Sequence, residues 1–475
     1  MKIRLSVVCL LVLFGVSLAK TPLHHKCVHD EKFADLKVGW PKKKTDFKSF
    51  LVEQTPAAEK PAVFHASSDV VDGWHQMRIH IDLSQADKLV SENPSLNAMH
   101  QIARRLIEST RTYFQSFFQV NAEPVLKSDG GKCGPLAIGG FEVSADTYIG
   151  IYAENDANAP YFAAATACDI STRDNRPYVG VYILNFARMK PSPLYEYFYF
   201  SVFAHEFTHI IGFSSSLYPY YVIPGTSTKR GVASVIGSTT IGSETFTTLI
   251  LPEVVDYARN FFGCPSLQGV PLENDGGSGS QSSHWEKLFL TQEYMNPTTE
   301  NPGIISEFTL NLLRGSGWYK IDTGAAQHYD WAQGSGCSHF TICPTGPGYC
   351  TPSQVGSRVC NSEWTGQALC IVDSQFSSSC RLKSALDHSC FISAGFSQDS
   401  TEYYGPGSRC INYASSAGTS SKCHKVDVNY LLTLVHKRTT QNYCWIGCGD
   451  VHVHWPANCS RFYKHRLPRP SRLLR

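Results

Sequence analysis

The sequence predicts an α+β fold, a mixed twisted sheet packed on helices, followed by a disulfide-rich C-terminal domain. Three observations carry this. Between residues 77 and 211, segments of alternating β-branched and aromatic residues adjoin a segment of helical period. The run from Tyr195 to Ile211 is aromatic and aliphatic almost throughout, as a helix enclosed between a sheet and the rest of a domain would be. The cysteines are unevenly spread: four lie from Cys27 to Cys264, and twelve crowd between Cys337 and Cys459.

At 475 residues the chain has room for two or three domains. A composition of 42% hydrophobic and 17% charged residues excludes a disordered or low-complexity chain. Forty-two Lys and Arg against 40 Asp and Glu leave a net charge of +2, so no strong field exists to recruit nucleic acid, and no nucleic-acid partner is expected.

Residues 1–19 combine Lys2 and Arg4, an apolar stretch from Leu5 to Leu18, and small residues at Ser17 and Ala19. This is the pattern of a secretory signal peptide, and its apolar run is short for a membrane span. The processed chain is therefore expected in the secretory pathway, extracellular or at the cell surface, and soluble. Its 16 remaining cysteines should mostly pair in that oxidising compartment. Residues 20–73 are polar and Lys-rich, with Pro41-Lys42-Lys43-Lys44, and read as a pro-segment or extended arm.

Regular structure is expected from about Met77. The stretch Met77 to Leu83 alternates as a strand, and Asn97 to Phe118 has helical spacing through Ile102, Leu106, Tyr113 and Phe117. Thr147 to Tyr152 and Tyr178 to Leu184 read as strands, with Tyr161 to Ile170 a third between them and a candidate edge for pairing with an extended peptide. The expected domain plan is 74–215, 216–322 and a Cys-rich 323–475. After Cys459, Arg461, Lys464, Arg466, Arg469, Arg472 and Arg475 occur without an acidic residue. That run is either a solvated tail or a patch for a membrane surface or a heparin-like polyanion, the only membrane association the sequence suggests. Its abrupt composition would also fit an incomplete or altered C-terminus.

The chemistry concentrates in His205-Glu206-Phe207-Thr208-His209. Two histidines four apart share one helical face and can reach one Zn²⁺, with Glu206 beside the open coordination position. An ordinary buried helix with two hydrogen-bonded histidines would carry the same letters. A catalytic site also needs a third donor. The short spacings offer only Ser215, or the distant Glu244 and Glu253; His284 is the one histidine between His209 and His328. Gly212 is suited to end the helix in a left-handed turn. Soon after His284 comes Glu293-Tyr294-Met295-Asn296-Pro297, with Met295 one of five methionines.

Taken together, His205, Glu206, His209, Gly212, the long insertion, His284 and Met295 resemble the leishmanolysin (invadolysin) family of zinc metalloproteases, in the metzincin clan. The flanking segments Asn274 to Gly279 and Leu313 to Tyr319 are similar to family segments. The resemblance runs from about Cys27 to Cys343 and is specific from Phe198 to Tyr319. It implies a zincin (metzincin) catalytic region, one Zn²⁺ per chain held by His205, His209 and His284, and Glu206 as general base and then acid. Met295 would form the Met-turn that packs beneath the site, without acting as a ligand. His25-Lys26-Cys27-Val28-His29-Asp30 resembles the family's pro-segment motif, in which a cysteine closes the zinc site; Cys27 as half of a disulfide is the alternative reading. Family-like pairings Cys133 with Cys168 and Cys264 with Cys337 leave an odd number of cysteines once Cys27 is set aside. The implied function is a secreted zinc endopeptidase acting on protein or peptide substrates. A non-catalytic adhesion or binding protein on the same fold is the alternative.

Overall fold

The computed structural model describes residues 25–27, 73–299 and 303–425, except 123–124, 135, 193–194, 278–279, 347, 363, 375, 377–379, 392–400, 406 and 416–417, together with 443–448 and 451–456. The signal-peptide region, most of the 20–73 segment, the Asn458-Cys459-Ser460 sequon and the basic tail lie outside the described residues.

The fold is α+β. A four-stranded sheet runs in the order Ala163–Ile170, Pro177–Asn185, Thr147–Glu154, Ile79–Asp82. The outermost strand Ala163–Ile170 is antiparallel to its neighbour, and the other two pairings are parallel. Ala163, Ala165, Tyr182, Leu184, Ile149 and Ile151 turn one face toward the helices, while Ala164, Val181 and Ile183 turn the other toward Tyr161 and Cys133. This is the period-two pattern of a sheet covered on both sides. The Cys133–Cys168 disulfide ties the covering hairpin to the outermost strand.

Three helices lie on the first face: Ser84–Glu92, which buries Ala86 and Val90 in the same core, and two longer ones. Asn97–Gln115 buries Met99, Ala103, Leu106, Ile107, Thr110 and Phe114, a stripe at spacings of three and four. It stops before Phe118, and Phe118–Val120 is instead a short strand against Tyr319–Ile321 and His75–Gln76. The helical period that runs on to Phe118 in sequence is overridden by the alternation that buries Phe118 and Val120. The second of the longer helices, Glu196–Ile211, is enclosed on nearly every face. Its phenylalanines, tyrosines, valine and threonine are weak helix formers, each up to ~0.7 kcal/mol worse than alanine. Burying one such aromatic or aliphatic side chain contributes about 1.5–3 kcal/mol, so packing decides the conformation. Close approach to the sheet requires Gly180, where a Cβ would lie 2.4 Å from Ile210 Cγ2.

Asp146 fixes the start of the strand Thr147–Glu154. Its buried carboxylate accepts the Arg78 amide at 2.7 Å, the Arg78 guanidinium at 2.8 Å and His75 Nε2 at 2.9 Å. Burial pushes this carboxyl up, but the His75 and Arg78 hydrogen bonds and the charges of Arg78 and Arg176 outweigh it and hold it below the ordinary range.

Beyond the site helix come the hairpin Ile236–Ile241 with Glu244–Leu249 and the helices Pro252–Phe262 and Glu307–Gly315. Cys264–Cys337 closes this part onto the Cys-rich region. There, Arg358–Cys360, Gly366–Asp373 and Cys380–Ser389 form a sheet, followed by the hairpin Ser408–Ser415 with Gly418–Lys425. Its small local cores are built largely from the cysteines of Cys350–Cys370, Cys360–Cys410 and Cys390–Cys423, and Cys343–Cys380 adds a fourth bridge. Loops of 20 to 50 residues closed in this way stabilise by about 3–4 kcal/mol each in the chain-entropy picture, which stands in for a larger apolar core. Among the described residues no helix is long and apolar enough to cross a membrane.

Candidate metal centre

The helix Glu196–Ile211 presents His205 and His209 one turn apart. At its C-terminal end the Thr208 carbonyl accepts the Gly212 and Phe213 amides, Tyr319 donates to the Ile211 carbonyl at 2.9 Å and Tyr221 to the Gly212 carbonyl at 3.0 Å. Gly212 does not take the left-handed conformation expected of it. Its φ is 169°, extended, and a Cβ there would lie 2.7 Å from Leu313 Cδ2, so any larger residue would have to displace the end of that side chain. The chain then leaves the helix, makes the hairpin and the Pro252–Phe262 helix, and returns to bring His284 against the same face. Ring centroids of His284 lie 5.2 Å from His205 and 4.9 Å from His209.

All three imidazoles are held in the same way. Nδ1 of His205 donates to the Tyr294 carbonyl at 2.5 Å, Nδ1 of His209 to the Phe213 carbonyl at 2.6 Å, and Nδ1 of His284 to the Ser280 carbonyl at 2.8 Å. A carbonyl can only accept, so each Nδ1 carries the proton and each Nε2 keeps its lone pair. Those lone pairs converge: Nε2 of His205 and of His209 are 3.1 Å apart. Cys27 joins them, its Sγ 3.3 Å from His209 Nε2 and 3.9 Å from Glu206 Oε1. One ligand atom from each of Cys27, His205, His209 and His284 lies within 4.8 Å of the others, and all four residues are buried. Two facing lone pairs at 3.1 Å repel unless a cation sits between them. Tetrahedral ligands at ~2.0–2.3 Å from one ion stand about 3.3–3.6 Å apart, so three imidazoles and a thiol fit such an ion.

Cys27 arrives by main-chain pairing. His25–Lys26 lies antiparallel to Thr298–Thr299, and the Cys27 amide donates to the Pro297 carbonyl at 3.1 Å. Six disulfides are present among the described residues, including Cys133–Cys168 and Cys264–Cys337, and Cys27 belongs to none of them. Of the cysteines left over, Cys444 and Cys448 lie in the hairpin Tyr443–Cys448 with Val451–Pro456, and Cys459 lies outside the described residues.

Glu206 and Met295 are both fully buried. The Met295 carbonyl accepts the amide of Trp285, the residue after His284, at 3.1 Å, which fastens the turn to the third histidine. Several contributors have no residue-type signal in the sequence. The acceptors for the three rings are backbone carbonyls. Tyr182, from the strand Pro177–Asn185, packs edge-on against Phe203, and burial together with the Glu206 and Cys27 charges pushes its phenol well above the ordinary value. Its signal is only a tyrosine at an inward position of a strand.

A family model for leishmanolysin covers residues 142–388, just over half of the chain. The chain belongs to the leishmanolysin family. Metallopeptidase chemistry, and so a metal cofactor, goes with that family, and among the described residues Cys27, His205, His209 and His284 form a group able to hold a metal ion. Relatives include a leishmanolysin-like peptidase of Caenorhabditis elegans, 32% identical over 166 residues, covering 29% of this chain and 25% of that protein. Leishmanolysin of Leishmania major is 28% identical over 186 residues, 38% of this chain and 28% of its own length. A ciliated left-right organizer metallopeptidase of Mus musculus is 30% identical over 203 residues, 41% of this chain and 29% of its own. The matched stretches thus span under a third of these leishmanolysin-family relatives' lengths.

Proposed function

We propose that this protein is a secreted zinc endopeptidase whose site is closed by Cys27 until the arm is removed. The observation that carries the proposal is the convergence of three imidazole Nε2 atoms and one thiol beside Glu206. Three nitrogens and a sulfur in a compact buried set suit Zn²⁺ better than Mg²⁺ or Ca²⁺, which take oxygen ligands. When bound, zinc supplies Lewis-acid polarisation of a scissile carbonyl and lowers the pKa of a water.

The remaining steps belong to the chain. His205, His209 and His284 hold their lone pairs toward one point through their Nδ1–H bonds to backbone. Glu206, alongside the position that Cys27 fills, takes a proton from the attacking water and returns it to the leaving amine. Replacing Cys27 by water requires withdrawing a two-residue ladder, His25–Lys26 on Thr298–Thr299. The outermost strand Ala163–Ile170 lies against the site helix, where an extended peptide substrate would add to the sheet. The six disulfides support passage through an oxidising secretory compartment and an extracellular or cell-surface destination.

The test is metal analysis with a casein or peptide-library digest on protein freed of its arm. About one zinc per chain with chelator-sensitive cleavage is expected. Zinc without cleavage would leave a binding or adhesion protein; neither zinc nor cleavage would overturn the metal centre.

A further inference from the structure

Another enclosed carboxylate stands behind the turn that follows His284. Glu293 is fully buried. Its Oε2 accepts the Met295 amide at 2.5 Å, and its Oε1 accepts the Thr309 hydroxyl at 2.6 Å and the Ser306 hydroxyl at 2.8 Å. Thr309 Oγ1 in turn accepts the indole N–H of Trp285 at 2.8 Å. Trp285 follows His284 in the chain. At the other end, Tyr294 follows Glu293, its carbonyl orients His205, and its hydroxyl meets Thr208 Oγ1 at 2.8 Å. One carboxylate therefore joins the segment bearing the third histidine, the Glu307–Gly315 helix and the turn that steers the first histidine.

Placing a carboxylate among neutral donors is costly. Burial pushes the Glu293 carboxyl up to about 7 even against the bonds from Thr309, Met295 and Ser306. A purely space-filling role would be served by a neutral side chain.

We propose that Glu293 is a positioning residue that sets the placement of His205 relative to His284, through Tyr294 on one side and Thr309–Trp285 on the other. The inference rests on the metal-centre reading above. Without the carboxylate, the Met295 amide and two hydroxyls lose their shared acceptor. The Tyr294 carbonyl and Trp285 then keep the main-chain bond from the Trp285 amide to the Met295 carbonyl but lose the side-chain link between them.

The test uses the full chain with cobalt(II) alone as the probe, reading visible absorption and the rate of cobalt release to a chelator. Glu293→Ala should change the cobalt bands and speed release by about 10- to 100-fold, the range for losing a group that orients a ligand. Glu293→Gln should lie between it and wild type, because its amide oxygen can still accept from Met295 while its NH₂ turns to the hydroxyls. Thr309→Val cuts the Trp285 link while keeping the shape, and gives the same readouts should Glu293→Ala not fold; faster release is expected. Asp146→Asn, in the distant sheet, should lower thermal stability but leave bands and release rate unchanged, which separates positioning from general loosening. Wild-type bands and release rates in both Glu293→Gln and Thr309→Val would overturn the proposal. A wild-type chain that takes up no stoichiometric cobalt would overturn the metal centre itself and this inference with it, a result distinguishable from the first.

Discussion

Cys27 Sγ lies 3.3 Å from Nε2 of His209, although 182 positions separate the two residues in the chain. The thiol also lies 3.9 Å from Glu206 Oε1, so on the proposed reading the arm and the attacking water compete for one place.

The unprocessed chain should accordingly be inactive, and Cys27→Ser should release peptidase activity without proteolysis. A neutral hydroxyl competes with water far less well than a thiolate. The comparison is unprocessed variant against unprocessed wild type at equal zinc content. Equal, low activity in both would remove Cys27 from latency while leaving the histidines untouched.

Glu206→Gln in the arm-free protein should retain zinc and lose about 10²- to 10⁴-fold in turnover, since the amide keeps the shape and removes the base. Wild-type cleavage by this variant would show that the proton goes elsewhere.

His284→Ala should lower bound metal and activity together. His328→Ala should change neither, because the His328 side chain is 54% exposed and its Nε2 lies 3.8 Å from Asp330 Oδ2, outside the cluster of Cys27, His205, His209 and His284. The opposite outcome would mean that the remote ligand has been misassigned.

Asp146→Asn should cost about 1–3 kcal/mol at neutral pH, the range for buried polar groups that lose a partner, and less than a fully enclosed ion pair because Arg78 is partly exposed. The folded-state pKa is depressed below the ordinary 3.8, so the contribution is present above that value and disappears as pH falls through the folded one. Denaturation midpoints of wild type and variant should differ at pH 5 and above and converge under strong acid. A gap that persists after full protonation would assign the effect to shape rather than charge.

Much of the sheet, the site helix and the histidine set can be read from sequence because each has a short-range pattern. Strand alternation at 147–152 and 178–184 and the pentapeptide at 205–209 are local. His284 is legible only through its scarcity and the family resemblance, since 74 residues, a hairpin and a helix among them, intervene before the fold returns it. The end of the helix at Gln115 escapes a periodicity argument, because Phe118 satisfies the helical stripe and the strand alternation equally. Gly212 shows the same limit. Its letter suggests a left-handed turn, whereas its backbone is extended and its close neighbour is Leu313, a hundred residues away. Glu293 is indistinguishable in sequence from a surface glutamate, and only the hydroxyls of Ser306 and Thr309 reveal it.

The three ring acceptors are main-chain oxygens of Tyr294, Phe213 and Ser280. No single base change in a gene can delete a peptide carbonyl. The tautomers of the histidines are thus insulated from ordinary substitution drift at those three positions, and their side chains can vary as far as packing permits. The vulnerability moves to chain length instead: a one-residue insertion or deletion next to Phe213, Ser280 or Tyr294 would carry an acceptor out of reach while leaving the histidines intact.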